Sequence, residues 1–453
     1  MHALQEVARI RILRWPEVSV PALLTSARER FRATFATTPD RFRLARTVLV
    51  VGLLLAGTAA AGAAEAASQS TRDIAGRIEP ISAGATTLYR SLAEADAIVT
   101  SGFLTGGLES SQTRKDYDDS ISEATTSLAT TGAQAGDEAA TAARVEDIAT
   151  LLPVYTGLVE QARANNRQGL PVGAAYLQRA SDLMRSTMLP AAEAVQVRQA
   201  VQLDSTYATA SAVPLSAILL GGALLAALGG VQWYLFRTTN RVFNLGVLVA
   251  TGAVLLGGLW WAVAGTVANG HLERSRAHIQ SVTDALVPAQ IAALQARAAE
   301  SLSLITRDGG AREVDFAARI QLLARNNGEG GALGAARALA PDTSAADAVE
   351  HALTQVRDYV AAHEEVRRLD NDGSYTTAVH SAASSEPSSS ASTFTGLDDT
   401  LAAAVESGRQ SFDEQIEQAR VWRTGLTVGI ALLAVVAVVG ASWGINQRLE
   451  EYR

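Results

Sequence analysis

The chain has 453 residues, with 38 basic and 46 acidic side chains and a formal net charge of -8. It holds no cysteine, which excludes disulfides, zinc–thiolate sites and thiol nucleophiles together. Its 48% hydrophobic content and mean hydropathy of +0.12 lie between those of a soluble and a fully membrane-embedded protein.

The first 46 residues carry nine arginines against four acids. Within them, Val7–Leu13 and Leu23–Phe35 interleave apolar residues with arginine. That pattern predicts an amphipathic helix lying on anionic lipid. The basic run is short and adjoins an apolar stretch, so nucleic-acid binding is not expected. The apolar stretch, Val48–Ala64, is the first of four; Pro214–Phe236, Leu245–Val267 and Gly425–Ile445 follow. Each is about as long as a bilayer-spanning helix and has no charge in its middle. Ala59–Ala67 also resembles a signal-peptide cleavage region, but the tail before it is long for a signal peptide.

Two charged, helix-patterned segments separate the stretches. In the first, apolar residues recur at three and four: Leu88, Leu92, Ala95, Val99, then Ile148, Leu151, Leu152, Tyr155, Leu158, Val159. The periodicity predicts helices over about Glu65–Gly102, Gln112–Thr131 and Asp137–Asn165, and, after a break at Gly169-Leu170-Pro171, a fourth that runs to Ala212. The second segment predicts helices over Gly270–Thr306, Arg312–Leu339, Ser344–Leu369 and Thr393–Arg423. Its fourth limb is interrupted by the polar loop Ser384–Ser392. Pro80, Pro190 and Pro288 are expected to kink their helices. β-Strand alternation is nowhere sustained.

Arginine placement predicts orientation. Arg41, Arg43 and Arg46, Arg237 and Arg241, and Arg448 and Arg453 all fall on one side, which the positive-inside rule makes cytoplasmic. Trp233 and Trp443 then sit near inner ends, and Trp260, Trp261 and Trp422 near outer ends. Arg420 and Arg423 conflict with this, unless Asp413, Glu414 and Glu417 offset them. The expected architecture is an all-α membrane protein: four transmembrane helices with two extracytoplasmic up-down-up-down four-helix bundles. Its divisions are a cytoplasmic basic segment at 1–46, spans at 47–64, 214–236, 244–268 and 425–445, bundles at 65–213 and 269–424, a loop at 237–243 and a tail at 446–453. The expected location is the plasma membrane, multi-pass, with both termini cytoplasmic.

The chain reads as an internal duplication. Leu88–Ile98 pairs with Leu294–Leu304, Asp116-Tyr117 and Ile121 with Asp315-Phe316 and Ile320, and Tyr155–Asn166 with Tyr359–Asn371. A span leading into a helical bundle and back describes the sensor module of bacterial chemoreceptors and histidine kinases, here doubled. Only Asn446–Arg453 follows the last span, where those receptors continue into an output domain. Leu88–Glu109, Leu158–Met184 and Asp315–Leu323 more closely resemble GlnX-type actinobacterial membrane proteins. The scarcity of lysine (Lys115 alone) and abundance of Arg, Ala and Gly agree with a GC-rich coding sequence. The resemblance implies a relay. An exported amino-acid-binding protein of GlnH type would engage the bundles, and a cytoplasmic Ser/Thr kinase of PknG type would receive the signal.

No catalytic constellation is present in the sequence: the six histidines are scattered, with neither HExxH nor a phosphate loop. The protein is expected to be no enzyme and to need no cofactor or metal. His351 and His363 could share a helix, but solvated surface histidines are the plainer reading. The candidate partner-binding tip joins Phe103, Leu104 and Leu108 to Asn165, Asn166, Arg167 and Leu170. Apolar residues in an exposed turn often mark interfaces, although helix capping and packing on Leu170 explain them equally well. Arg90 and Arg163 are candidates for an anion contact or for pairs with neighbouring acids. Gly425, Gly429, Gly440 and Gly444 form two GxxxG spacings suited to helix packing. The expected function is non-enzymatic signal transduction, with membrane lipid as a further contact and homo-oligomerisation left open. The alternatives are a direct small-molecule receptor with a polar pocket inside a bundle, and a structural envelope factor. A transporter fits poorly, because the spans lack mid-membrane polar residues.

Overall fold

The computed structural model describes residues 38–104, 106, 109–134, 139–211, 215–239, 244–307 and 312–450. The amphipathic segment before Thr38, and Leu108, Arg241 and Arg453, lie outside the described residues. The helices in order are α1 Thr38–Asp73, α2 Glu79–Leu104, α3 Ser111–Gln134, α4 Ala139–Arg167, α5 Val172–Leu183, α6 Leu189–Ala210, α7 Leu215–Thr239, α8 Leu245–Ser281, α9 Val287–Thr306, α10 Glu313–Leu323, α11 Gly331–Leu339, α12 Thr343–Asn371, α13 Tyr375–Ala383, α14 Ser390–Arg423 and α15 Leu426–Glu450. Among the described residues the one extended pairing is an isolated bridge between Arg325 and Gly330. Four helical stretches are long and apolar enough to cross a membrane.

The chain divides into two compact units. One gathers the apolar stretches. Phe42, Leu49 and Leu53 of α1 pack with Leu224 and Leu228 of α7, Val247, Ala250 and Ala253 of α8, and Ala437, Ala441 and Ile445 of α15. Large apolar residues such as Leu55, Leu219, Leu256 and Leu432 point outward and are more than half exposed. Bulky apolar side chains on the outside as well as in the interior suit a bundle whose solvent is hydrocarbon, where close packing rather than burial from water drives association.

The other unit comprises Ala64–Val213 and Ala262–Leu426. In its first half α2 packs on α3, α3 on α4, and α4 and α2 on α6, closing a ring of four limbs. In its second half α9, α10 with α11, α12, and α13 with α14 close a similar ring. The two rings are joined through α2 and α9, which pack along one another. One hydrophobic core therefore runs through both, from Leu88 and Tyr155 to Leu302, Tyr359 and Leu401.

Pro80, Pro190 and Pro288 each follow a π-helical turn, at Ile74–Ile78, Met184–Met188 and Val282–Leu286. Proline has no N–H and crowds the carbonyl four residues back, and a wider turn at that point accommodates both defects. The helix expected over Arg312–Leu339 is broken. Asn326 (φ 50°), Gly328 (φ 91°) and Gly331 (φ 77°) are left-handed, and a right-handed helix cannot pass through them. The break at Ser384–Ser389 falls as expected, and the Ser389 hydroxyl caps α14 by accepting from Ser392 N.

Candidate functional site

The tip expected from sequence is partly assembled. Phe103 and Asn166 border a cavity of about 240 Å³ together with Glu109, Arg114, Arg163 and Arg167. Asn165 donates to Gln161 O at 2.8 Å, and its carbonyl receives Gln168 N and Leu170 N, so it closes the helix end. Leu170 is 44% exposed. Leu104 departs from expectation: it is not a surface residue. It is 7% exposed and packs with Leu304, Val366, Ala378 and Ala382, where the second half of the unit covers it.

Arg90 and Arg163 are engaged by acids rather than open to a ligand. Arg90 bonds Glu94 at 2.8 Å and Glu123 at 2.7 Å. Arg163 is buried, bonds Glu160 at 2.8 Å and Glu109 at 2.9 Å, and lies 4.3 Å from the centre of the Tyr117 ring.

The buried polar centres were not foreseen. In the first half, Asp96 accepts from Ser181 Oγ at 2.7 Å and from Tyr155 OH at 3.4 Å. Burial pushes its carboxyl up to about 6, and these two neutral partners only partly oppose that. In the second half, Glu300 accepts from Arg297 at 2.5 Å, Ser390 at 2.6 Å, His363 at 3.0 Å and Tyr359 at 3.4 Å. His363 Nε2 faces Glu313 at 3.2 Å, and its ring stacks on Phe316 with centroids 3.5 Å apart. Burial alone would raise Glu300 and lower His363. The surrounding opposite charges and hydrogen bonds win, holding Glu300 at about 2 and raising His363 to about 9.

The geometry repeats. The tyrosine hydroxyl reaches a carboxylate 59 residues earlier in both halves. Arg163–Glu109 and Arg367–Glu313 are ion pairs of equal sequence separation. By these contacts Asp96 corresponds to Glu300, so the pairing of Leu88–Ile98 with Leu294–Leu304 is slipped by two residues. A sequence signal existed: Asp96 falls four residues after Leu92, on the apolar face. His351 and His363 are not brought to a shared ligand. His351 faces Thr400 at 3.5 Å, while both ring nitrogens of His363 face carboxylates.

Of the four glycines, Gly440 and Gly444 meet Gly246 on α8, and Gly429 lies under the Trp260 ring, with no room for a Cβ at Gly429 or Gly444. Asn244 fastens the same contact, donating to Gly444 O at 2.7 Å while capping α8 through Gly246 N at 3.1 Å. Gly425 has no neighbour that a Cβ would meet. With φ +78° it is the turn between α14 and α15, not a packing residue.

Arg420 pairs with Glu417 at 2.9 Å, as the nearby acids led one to expect. Arg423 behaves otherwise. It is 5% exposed and donates to Ala67 O at 2.6 Å, Thr71 Oγ1, Ala210 O at 3.2 Å and Asn269 Oδ1 at 2.8 Å. These groups belong to α1, α6 and α8, so one guanidinium on α14 ties together the four limbs that adjoin the apolar stretches.

No curated protein and no solved structure matches the chain. Residues 70–208, which hold the first polar centre and most of the first ring, match the actinobacterial sensor domain.

Proposed function

We propose that the chain is a non-enzymatic transmembrane signal transducer. The observation that carries this is the Arg423 knot. A planar guanidinium with five donors in fixed directions is bonded to all four limbs, so a displacement of one limb strains bonds to the other three. Repacking in the sensor-like unit would thereby become a concerted shift of the four limbs. The match of residues 70–208 to a sensor domain supports a sensing role. The equal spacings in the two polar centres support descent of both halves from one duplicated unit.

In this reading both helical rings are extracytoplasmic, and the termini and the 237–243 loop are cytoplasmic. The upstream partner is an exported amino-acid-binding protein of GlnH type, and the downstream partner is a Ser/Thr kinase of PknG type. The test is crosslinking with mass spectrometry on intact cells carrying the wild type or Arg423→Ala. The expected result is crosslinks from α2–α6 or α9–α14 to an exported solute-binding protein in both strains. Amino-acid-dependent phosphorylation of the kinase's substrates should be lost in the variant alone. Retained phosphorylation with Arg423→Ala would remove the knot from the mechanism; crosslinks to envelope assembly proteins alone would replace the relay with a structural role.

A further inference from the structure

The largest cavity of the helical unit is a cleft of about 870 Å³, lined by α6, by the α8–α9 limb and by α10 and α11, with Tyr89 reaching in from α2. Its size is that of a ligand site. Among the described residues that line it, Glu193, Asp204 and Asp284 are matched in number by Arg276, Arg319 and Arg325, so the cleft as a whole favours neither a cation nor an anion. Three further side chains in the lining are buried yet have hydrogen-bonding capacity to spare. Tyr89 and Gln295 are each 8% exposed, and among the described residues neither side chain has a hydrogen-bond partner. Gln196 is 4% exposed and gives one amide hydrogen to Thr283 O at 3.0 Å, which leaves it a second. Unmet polar groups in so buried a position point to a ligand. Burial also pushes the Tyr89 phenol up, so it keeps the proton that it would donate. The levels of the three groups follow from helix register. α2 and α9 run side by side in parallel, with Ser101 meeting Ser301 at 3.5 Å and with Leu104 and Leu304 in one cluster. Tyr89 therefore stands level with Ala289. Gln295 is six residues beyond Ala289, and Thr283, which holds Gln196, is six before it. At about 1.5 Å per residue the three groups form a ladder with rungs about 9 Å apart.

We propose that this cleft binds an uncharged, proline-rich peptide in the polyproline II conformation, its backbone carbonyls accepting from Gln196, Tyr89 and Gln295. That helix has three residues per turn and rises about 3.1 Å per residue, so one edge of it recurs about every 9.3 Å, in step with the rungs. An extended strand presents one face about every 6.7 Å and an α-helix about every 5.4 Å, so neither keeps step. Polyproline II carbonyls have no internal partners and proline has no N–H, so such a chain asks for donors alone. A tyrosine hydroxyl and two glutamine amides supply them. In the same lining Val197 is 52%, Val201 66% and Leu322 56% exposed, and pyrrolidine rings would cover this apolar surface. The conformation is preformed, so little order has to be imposed on binding. Reaching all three rungs takes positions i, i+3 and i+6 of the peptide, a length of about seven residues. This site stands apart from the relay, since it concerns binding alone.

The test uses the full chain in lipid nanodiscs and titration calorimetry with acetyl-heptaproline amide. Heptaproline should bind. A Gly/Ser peptide of the same length and end groups, which is a flexible coil until ordered, should bind about tenfold or more weakly. Across a series of oligoproline lengths, affinity should step upward at about four and about seven residues, where the second and third rungs come within reach. Tyr89→Phe and Gln295→Leu each remove one donor and should each weaken heptaproline about three- to tenfold. Circular dichroism on each variant separates loss of the site from loss of fold. If a variant misfolds, protection of α6 and α10 from hydrogen exchange by heptaproline on the wild type serves as the second readout. Absence of both heat and protection, equal affinity for the Gly/Ser peptide, an even rise of affinity with length, or unchanged affinity in both folded variants would overturn the proposal.

Discussion

Asp96 and Glu300 occupy corresponding places and answer burial in opposite ways. Burial raises the Asp96 pKa from 3.8 to about 6, and its hydroxyl partners Ser181 and Tyr155, with Arg185 further off, only partly oppose that. A raised carboxylate binds protons more tightly folded than unfolded, so stability falls as pH rises from about 4 to about 6 and stays reduced above that. The cost at neutral pH is about 3 kcal/mol. Asp96→Asn should therefore remove the acid-side slope and raise the thermal midpoint at pH 7, read by melting the protein between pH 4 and 7.5. Glu300, lowered from 4.5 to about 2, contributes stability present above 4.5 and lost as pH falls through 2. His363, raised from 6.5 to about 9, contributes stability present below 6.5 and lost as pH rises through 9. His363→Ala leaves Glu300 buried with one cation fewer and should cost about 3–5 kcal/mol. Hydrogen exchange should show that loss first in α9, α12 and α14.

Helix boundaries depend on a few positions. Gly425 ends α14 in a left-handed turn, so Gly425→Ala should cost about 1 kcal/mol through backbone strain, seen as a lower melting midpoint without change in helicity. Gly444 has a different role, because a side chain there would collide with the α8 backbone. Gly440→Leu with Gly444→Leu should separate α15 from α8 while leaving insertion intact, since insertion depends on hydrophobicity. The expected outcome is normal protein level in membranes, a lower melting midpoint and loss of the cellular response. A normal response would sink the view that this packing transmits the signal.

For the molecule as a whole, sidedness and coupling are the quantities to measure. Ser111 and Ser388 are exposed and, in a chain without cysteine, offer unique labels once replaced. On the proposed topology, in which the arginines flanking the apolar stretches face the cytoplasm, a membrane-impermeant thiol reagent should label Ser111→Cys and Ser388→Cys on intact cells. Leu104→Asp should bury a carboxylate in the contact between α2 and α13, loosening the two rings and costing several kcal/mol. Arg423→Lys keeps the charge but cannot reach four limbs with one ammonium. It should retain folding and lose the response, which distinguishes geometry from charge.

The four apolar helices and the all-helical class were legible in the sequence, because hydropathy and 3.6-residue periodicity are local properties. So were the turn at Asn165–Leu170 and the loop at Ser384, each marked by residues with special backbone needs. The break at Asn326–Gly331 was written there too, in two asparagines and three glycines, but the flanking periodicity masked it. What only the tertiary structure decided is which side chains meet. Leu104 reads as an exposed turn residue until α13 covers it. Arg423 reads as a misplaced surface charge until α1, α6 and α8 bring it carbonyls and hydroxyls. Asp96 stands on an apolar face with no partner legible nearby, and its and Glu300's partners Tyr155 and Tyr359 arrive from 59 residues away. Periodicity sets which face of a helix is buried, but the partner of a buried polar group is set by long-range packing.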